Sequence, residues 1–370
     1  LQPTVTVIGG GLIGSAMTAE LAERGVTVTL LEAGRLCGGT SGASFALLNS
    51  NHKSPTTYHE FNVAGMEAHR RFANSNSNAT WYHPGGSLGW GNGEDAGSGL
   101  AENVERLQAL DYPATLLSRS QVLELEPSLF MTNLPGDGVA YFPSEAWVDP
   151  PVLIAVLVEH ARAHGADVIT NLPVTDLEVM GNHVRRVVCP DRTFSSDIVI
   201  NCAGPEADLI AQMAGIELPL TKIPGITVAT EALPISLQRV IRNSSFATRP
   251  DGGGRLLAVS PTADSTITSS YAVTRQAVDM LLEEIVRLFP YLTPHELQVE
   301  SVKVGVRPIP VDGLPILGFD KSIENLYQAV QHSGVTLCLE LAHRVANHIL
   351  DGKEPPGFDL YSVSAKGRHR

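Results

Sequence analysis

The chain has 370 residues, 43% of them apolar, enough for one large or two ordinary domains around a real core. Its formal net charge of −13 argues against nucleic acid as a partner, because gripping phosphates needs a basic surface, although a local basic pocket for a small anion stays open. No stretch approaches the roughly 20 apolar residues of a membrane span. The four cysteines (Cys37, Cys189, Cys202 and Cys338) lack C-x-x-C or zinc spacing and read as reduced thiols without a metal, in a cytoplasmic setting.

The first 32 residues carry the strongest signal. A β-branched run at 4–8 reads as a buried parallel strand. Gly9, Gly11 and Gly14 then fall at G-x-G-x-x-G spacing, and an amphipathic helix begins with Leu12 and Ile13. Gly25 stops that helix, a second strand spans 26–31, and Glu32 ends it. Each piece suits a dinucleotide. Gly9 permits the tight turn, Gly11 lets a pyrophosphate approach the backbone, and Gly14 lets helix and strand pack closely. The helix N-terminus offers free N–H groups and partial positive charge, and Glu32 lies where an acid meets ribose hydroxyls. The same acid disfavours a 2′-phosphate, and with it NADP at this position. The strand begins so early that the chain has no room for a signal peptide, and Leu1 points to a trimmed start.

Residues 33–44, rich in Gly, Ser and Thr, are a second candidate pyrophosphate wrap. A polar cluster of Asn49, Asn51, His52 and Lys53 follows, then a helix over 58–72. Residues 74–99 read as loops and short strands, 103–110 and 118–125 as short helices with Ser118 as N-cap, and 139–142 as a strand. Asp149-Pro150-Pro151 starts a helix that runs to 164. Strands are predicted at 167–170, 174–180, 184–189 and 197–201, the last meeting Cys202-Ala203-Gly204-Pro205. From 219 the pattern turns to antiparallel β: strands at 223–230, 240–249 and 255–260, with a turn at 251–254. A helix over 274–289, a strand over 297–306 and an extended, turn-rich stretch over 307–315 follow. The chain then offers a strand at 326–330 and a helix over 335–350 that is apolar on most sides, before a basic polar tail at 366–370. The order predicts an α/β fold with an α+β insert. A discontinuous Rossmann-like unit (1–80, 143–218, 300–370) would hold an inserted antiparallel-sheet substrate domain (81–142, 219–299).

Several stations coincide: GGGLIGS with Glu32, Gly39-Thr40-Ser41-Gly42-Ala43-Ser44, DIVINCAGP, Val306-Arg307-Pro308, Asp312-Gly313-Leu314-Pro315 and His332-Ser333-Gly334. Together they resemble the D-amino acid oxidase family of flavoproteins, which includes glycine oxidase, sarcosine oxidase and D-amino acid dehydrogenases. The resemblance implies FAD rather than NAD. It implies adenosine near Glu32, Ala33, Val174, Cys202, Ala203 and Gly204. It implies pyrophosphate over Gly11 and the segment holding Thr40, Ser41, Ala43 and Ser44. The flavin ring is implied near Asn49, Gly313 and the start of the last helix: His332, Ser333, Gly334, Val335 and Thr336.

The resemblance makes Arg307 the anchor for a substrate carboxylate. Some relatives attach flavin through a late Cys or an early His; neither stands at the matching positions, so FAD is expected to be non-covalent. His52 and Lys53 are candidate pocket residues, as is the Ser144-Glu145-Ala146-Trp147 segment, while Cys338 reads as core. The expected reaction oxidises the C–N bond of an amino acid or related amine carboxylate to an imine, with hydride passing to flavin N5 and electrons then to O2 or another acceptor. A flavin monooxygenase or halogenase using NAD(P)H, an NAD-dependent dehydrogenase and a non-catalytic nucleotide-binding module are the rival readings. The first of these carries a late G-D motif, and Asp312-Gly313 has that order reversed.

Overall fold

The β-branched opening becomes the middle of a sheet. In the structure, a computed structural model that describes residues 2–91, 96–130, 132, 134–136, 138–268, 271–293 and 296–363, strand Thr4–Ile8 is flanked by Thr27–Leu31 and Ile198–Asn201, both parallel to it. Asp167–Ile169 and Leu326–Val330 extend the parallel array, and Ile316–Phe319 adds one antiparallel edge. This is the Rossmann-like core expected from the sequence. The basic tail at 366–370 lies outside the described residues, as do residues 92–95 of the expected loop region.

Alternation along these strands divides the core. Val5, Val7, Val28 and Leu30 face one way, into a cluster with the helices Leu12–Glu23, Pro150–Ala163 and Gly334–Asp351. Ile8, Leu31, Val199 and Val330 face the other way, onto a three-stranded antiparallel sheet of Asp176–Met180, His183–Val188 and Thr193–Phe194. Burial on both faces explains why the central strands carry β-branched or aliphatic residues at nearly every position.

The second large body is an eight-stranded sheet in the order Val299–Pro310, Leu220–Thr230, Leu256–Val259, Ala247–Pro250, Val240–Arg242, Ser87–Gly89, Val139–Phe142 and Thr115–Leu117. All its pairings are antiparallel except that of Val240–Arg242 with Ser87–Gly89. Helix Arg275–Leu288 packs on it through Ala277, Leu281 and Ile285, with Thr274 capping the helix as its side chain accepts from Ala277 N. Ser118 caps Arg119–Leu125 in a capping box with Gln121.

Several predicted elements change. The strand expected over 240–249 is a hairpin, because residues 243–246 turn back and Asn243 N donates to Phe246 O at 2.8 Å. Val174 is not mid-strand; it lies in the extended stretch before Asp176. The strand expected to end at 306 runs on to Pro310, since Leu220–Thr230 pairs with it along its whole length. Val299–Pro310 thus belongs to the eight-stranded sheet, and the chain rejoins the parallel sheet at Ile316. The short helix expected at 103–110 begins earlier, at Ala96. The last helix has a polar side, with Glu340 and Arg344 ion-paired on it and His343 exposed. A strand at Ala146–Val148, absent from the sequence reading, joins Leu47–Leu48 and Tyr82–Pro84. Among the described residues no helix is long and apolar enough to cross a membrane.

Candidate functional site

Two helices open on one cavity. Helix Leu12–Glu23 and helix Gly334–Asp351 pack side by side with the same polarity: Ile13 sits beneath Gly334 at one end, and Arg24 donates to Asn347 Oδ1 at 2.7 Å at the other. Both N-termini therefore meet the same space, and neither N-cap residue, Gly11 or Ser333, caps its helix with its own side chain. Two N-terminal dipoles favour anionic groups there. The cavity has a volume of about 940 Å3, near the upper end of the roughly 300–1,000 Å3 of ligand sites.

The glycine loop is built as its spacing requires. Gly9 has φ +111°, a backbone state that side chains avoid, and a Cβ there would lie 2.5 Å from Cys202 O. A Cβ on Gly14 would lie 1.9 Å from Gly9 O and 3.4 Å from Cys202 Cβ. Gly14 thus faces the packing seam rather than the cavity. Gly11 lines the cavity, with Ser41 Oγ accepting from the next amide, Leu12 N, at 3.1 Å. The Thr40–Ala43 turn is pinned from the other sheet. Thr40 Oγ1 donates to Val306 O at 2.5 Å, and Lys303 Nζ donates to Gly42 O at 3.1 Å.

Glu32 holds the lip. Its carboxylate accepts from Gly10 N at 2.7 Å and Gly34 N at 2.8 Å. These bonds fix its orientation at the cavity wall beside Ala33. Glu32→Gln is expected to weaken FAD binding roughly tenfold, because charge-assisted bonds are lost at fixed shape. Fluorescence titration of apoprotein checks it; an unchanged dissociation constant removes Glu32 from the nucleotide site.

The remaining expected cofactor residues Leu12, Ile13, Thr40, Ser41, Ala43, Ser44, Asn49, Val174, Cys202, Ala203, Gly204, His332, Ser333, Gly334, Val335 and Thr336 also line this cavity. So do His52, Lys53 and Arg307. Gly313 does not; it sits in the turn after Pro310, with φ +74° and its N donating to Pro310 O at 2.7 Å. The turn geometry alone accounts for a glycine there. The 144–147 segment does not line the cavity either, since Ala146–Val148 is engaged as a strand behind it. Cys338 is fully buried in the last helix.

Ser333 links the polar cluster to the last helix. It accepts from Lys53 Nζ and Tyr58 OH, each at 2.8 Å. Burial, reinforced by the charge of Arg242, pulls the Lys53 pKa down to about 8. Burial and the cations Arg242, Arg106 and Lys53 also lower His52. His332 stands on the open wall, yet the protein packed around it and the charges of Lys53 and Arg307 press its pKa down to about 4. It is a neutral ring at pH 7.

Arg307 is held from two sides. Its Nη2 donates to Pro224 O at 2.9 Å and to the Asp264 carboxylate. The guanidinium lies against Gly225, where a Cβ would come within 2.5 Å of Nη2. Asp264 in turn accepts from Ile226 N at 2.8 Å. Asp264, Gln331 and Arg242 are cavity residues that the sequence reading missed. Arg249 was missed too: it is buried over the Trp147 ring at 4.0 Å and fixes the Phe45 carbonyl at 2.8 Å. No local spacing marks any of them.

The residues present fit FAD. Gly11 and the two helix N-termini leave a cradle that side chains would fill. Gln331 is 2% exposed, and both polar atoms of its amide lack a hydrogen-bond partner among the described residues. A buried amide with a free donor and a free acceptor matches a flat ring system that carries both. Glu32 would hold the ribose end, the glycine loop and Ser41 the pyrophosphate, and Gln331 with the last helix the ring end.

The comparisons agree with this geometry. Residues 4–348 match the family model described as FAD dependent oxidoreductase (DAO). The chain is 26% identical over 370 residues to glycine oxidase of Geobacillus kaustophilus, covering 97% of this chain and 96% of that protein. It is 30% identical over 249 residues to human mitochondrial sarcosine dehydrogenase, covering 62% of this chain but 25% of that protein. Its fold superposes on the crystal structure of the Geobacillus kaustophilus glycine oxidase with a TM-score of 0.86, 23% identity and 98% of each chain covered. With that match spanning nearly the whole length, the chain belongs to the DAO family of FAD-dependent oxidoreductases and is an enzyme of that family.

Proposed function

We propose that this enzyme oxidises the C–N bond of an amino acid or a related amine carboxylate to the imine. The observation that carries the reading is the place of Arg307, which projects into the same cavity as the glycine loop and the last helix. A guanidinium suits a carboxylate; with Nη2 committed to Pro224 and Asp264, the N–H groups on Nε and Nη1 are the ones that would meet it. Relatives named for glycine, sarcosine and opine oxidation add weight. FAD, when bound, supplies the acceptor for the two electrons and hydrogen that leave the substrate carbon.

The chain's own residues bind and orient. Arg307 fixes the carboxylate end, Asp264 and Pro224 hold the guanidinium still, and His332 adds no third positive charge beside Lys53 and Arg307. No dedicated proton-transfer dyad is needed if the neutral amine reacts, so positioning carries the rate. O2 or another acceptor would reoxidise the enzyme. A cytoplasmic setting is part of the proposal and rests on the four free cysteines.

Anaerobic mixing of the holoenzyme with a panel of glycine, sarcosine, D-amino acids and imino acids tests the reading. Bleaching of the flavin by at least one amine carboxylate is expected. Flavin that stays oxidised with all of them, but is reduced by NADH or NADPH, would favour a monooxygenase instead.

A further inference from the structure

Arg307 leaves cationic chemistry in the cavity unexplained. It can hold one carboxylate, and Asp264 already balances part of its charge. Two further cations, Arg242 and Lys53, line the same cavity. Arg242 ends strand Val240–Arg242, and its Nη1 is buried without a hydrogen-bond partner among the described residues. A buried, unpaired guanidinium N–H is costly, so its position implies an acceptor that arrives with a ligand. Lys53 spends one proton on Ser333 and keeps two.

The acid that bears on both cations does not take up these donors. Glu145 is buried, and both its oxygens are engaged, Oε2 by Ser87 Oγ at 2.5 Å and Oε1 by Tyr112 OH at 2.9 Å. Burial holds its carboxyl above the usual range, although Arg242 and Lys53 pull the other way. The two cations also act on their neighbours: each depresses His52, and Arg242 depresses Lys53. His332 feels both Lys53 and Arg307. Arg307, Lys53 and Arg242 thus line one cavity together with His52 and His332. In a chain of net charge −13 this is a strong local reversal of sign.

We propose that Arg242 and Lys53 form a second anion subsite in the cavity, and that the substrate is an amine bearing two carboxylates, one held by Arg307 and the other by Arg242 with Lys53. This rests on the amine-oxidation reading and specifies its substrate class. The fork of Arg242 supplies geometry, and Lys53 supplies a movable point charge. A substrate with one carboxylate leaves the Arg242 donor buried and unmet, which is how a site built for a polar group rejects a ligand that lacks it.

The test compares sarcosine with iminodiacetate, which carries a carboxylate in place of a hydrogen on the N-methyl group. Anaerobic flavin reduction in the wild-type holoenzyme should show an apparent dissociation constant about tenfold or more lower for iminodiacetate. Arg242→Gln should bring that ratio close to one, and Arg242→Lys should restore part of it. Variants are compared only at equal FAD content, so a misfolded protein is not scored. Equal constants for the two amines in the wild type, or a ratio that Arg242→Gln leaves unmoved, overturns the proposal.

If neither amine reduces the flavin, the oxidation reading is what fails, and the subsite is read separately. Titration of the oxidised holoenzyme with glutarate and with butyrate, followed by the flavin absorbance, then decides it. Tighter glutarate binding that disappears in Arg242→Gln sustains the subsite; equal binding of the two overturns it.

Discussion

Gly14→Ala is expected to yield a protein that retains no FAD after desalting and is destabilised by about 3 kcal/mol or more. Alanine is the better helix former by about 1 kcal/mol, so propensity alone predicts a gain. Geometry decides otherwise. The new Cβ would sit 1.9 Å from the carbonyl oxygen of Gly9 and 3.4 Å from the Cys202 side chain. Both obstacles belong to central parallel strands, Thr4–Ile8 and Ile198–Asn201, or to the residues just past their ends. Backbone there cannot yield without breaking the sheet register, so the helix must lift. Lifting it withdraws the Leu12 amide and the helix N-terminus from the cavity.

Gly25→Ala is the control. Gly25, unlike the helical Gly14, has a positive φ, +80°, and no atom lies within 4 Å of the added Cβ. It should cost about 1–2 kcal/mol of backbone strain and leave the FAD content unchanged. Absorbance at the flavin band per mole of protein, with thermal unfolding of both variants, separates the two. A Gly14→Ala protein that stays fully yellow would show that helix and strand do not meet as described.

The same contrast shows what could be read from the chain alone. Gly9, Gly11, Gly14 and Glu32 act within one strand-turn-helix-strand unit, so their spacing carries their roles. Arg307 was reachable because it lies in a distinctive Arg-Pro and Asp-Gly-x-Pro stretch, although its partner Asp264 was not. The two residues are 43 positions apart and meet only because Leu220–Thr230 pairs along Val299–Pro310 and brings the Pro261–Asp264 helix against it.

Arg242 is farther from legibility still. It is one charged residue ending a three-residue strand whose partner, Ser87–Gly89, is parallel to it and some 150 positions earlier. The strand predicted over 240–249 blurred the hairpin that turns Asn243 and Phe246 toward the cavity. Gly313 differs in the opposite sense: a motif suggested a ligand contact, and the structure places the residue in a turn with positive φ outside the cavity lining. Local pattern fixes loops that carry their own geometry, while pockets formed between sheets depend on register that no short window contains.

Arg307→Ala is expected to lower kcat/KM for the preferred amine carboxylate by roughly 30- to 5,000-fold, the range that corresponds to losing a hydrogen-bonded charge contact of about 2–5 kcal/mol. The FAD content should not change, because the glycine loop and Glu32 lie at the other end of the cavity's functions and share no hydrogen bond with Arg307. The loss has two sources. The substrate carboxylate loses its cationic partner, and Asp264, left with only Ile226 N, presents an unmatched negative charge to an anionic ligand. The second source is separable. Arg307→Ala combined with Asp264→Asn should recover part of the affinity, whereas a purely structural arginine would show no such recovery. Arg307→Lys keeps the charge but not the fork, so it should fall between wild type and alanine. A defect confined to KM would mean that Arg307 grips ground state and transition state alike. A fall in kcat as well would mean that it also sets the angle at which the substrate carbon meets the acceptor. Steady-state kinetics at saturating acceptor distinguishes these, and unchanged constants in Arg307→Ala would remove the residue from the site and with it the anchor on which the proposed reaction depends.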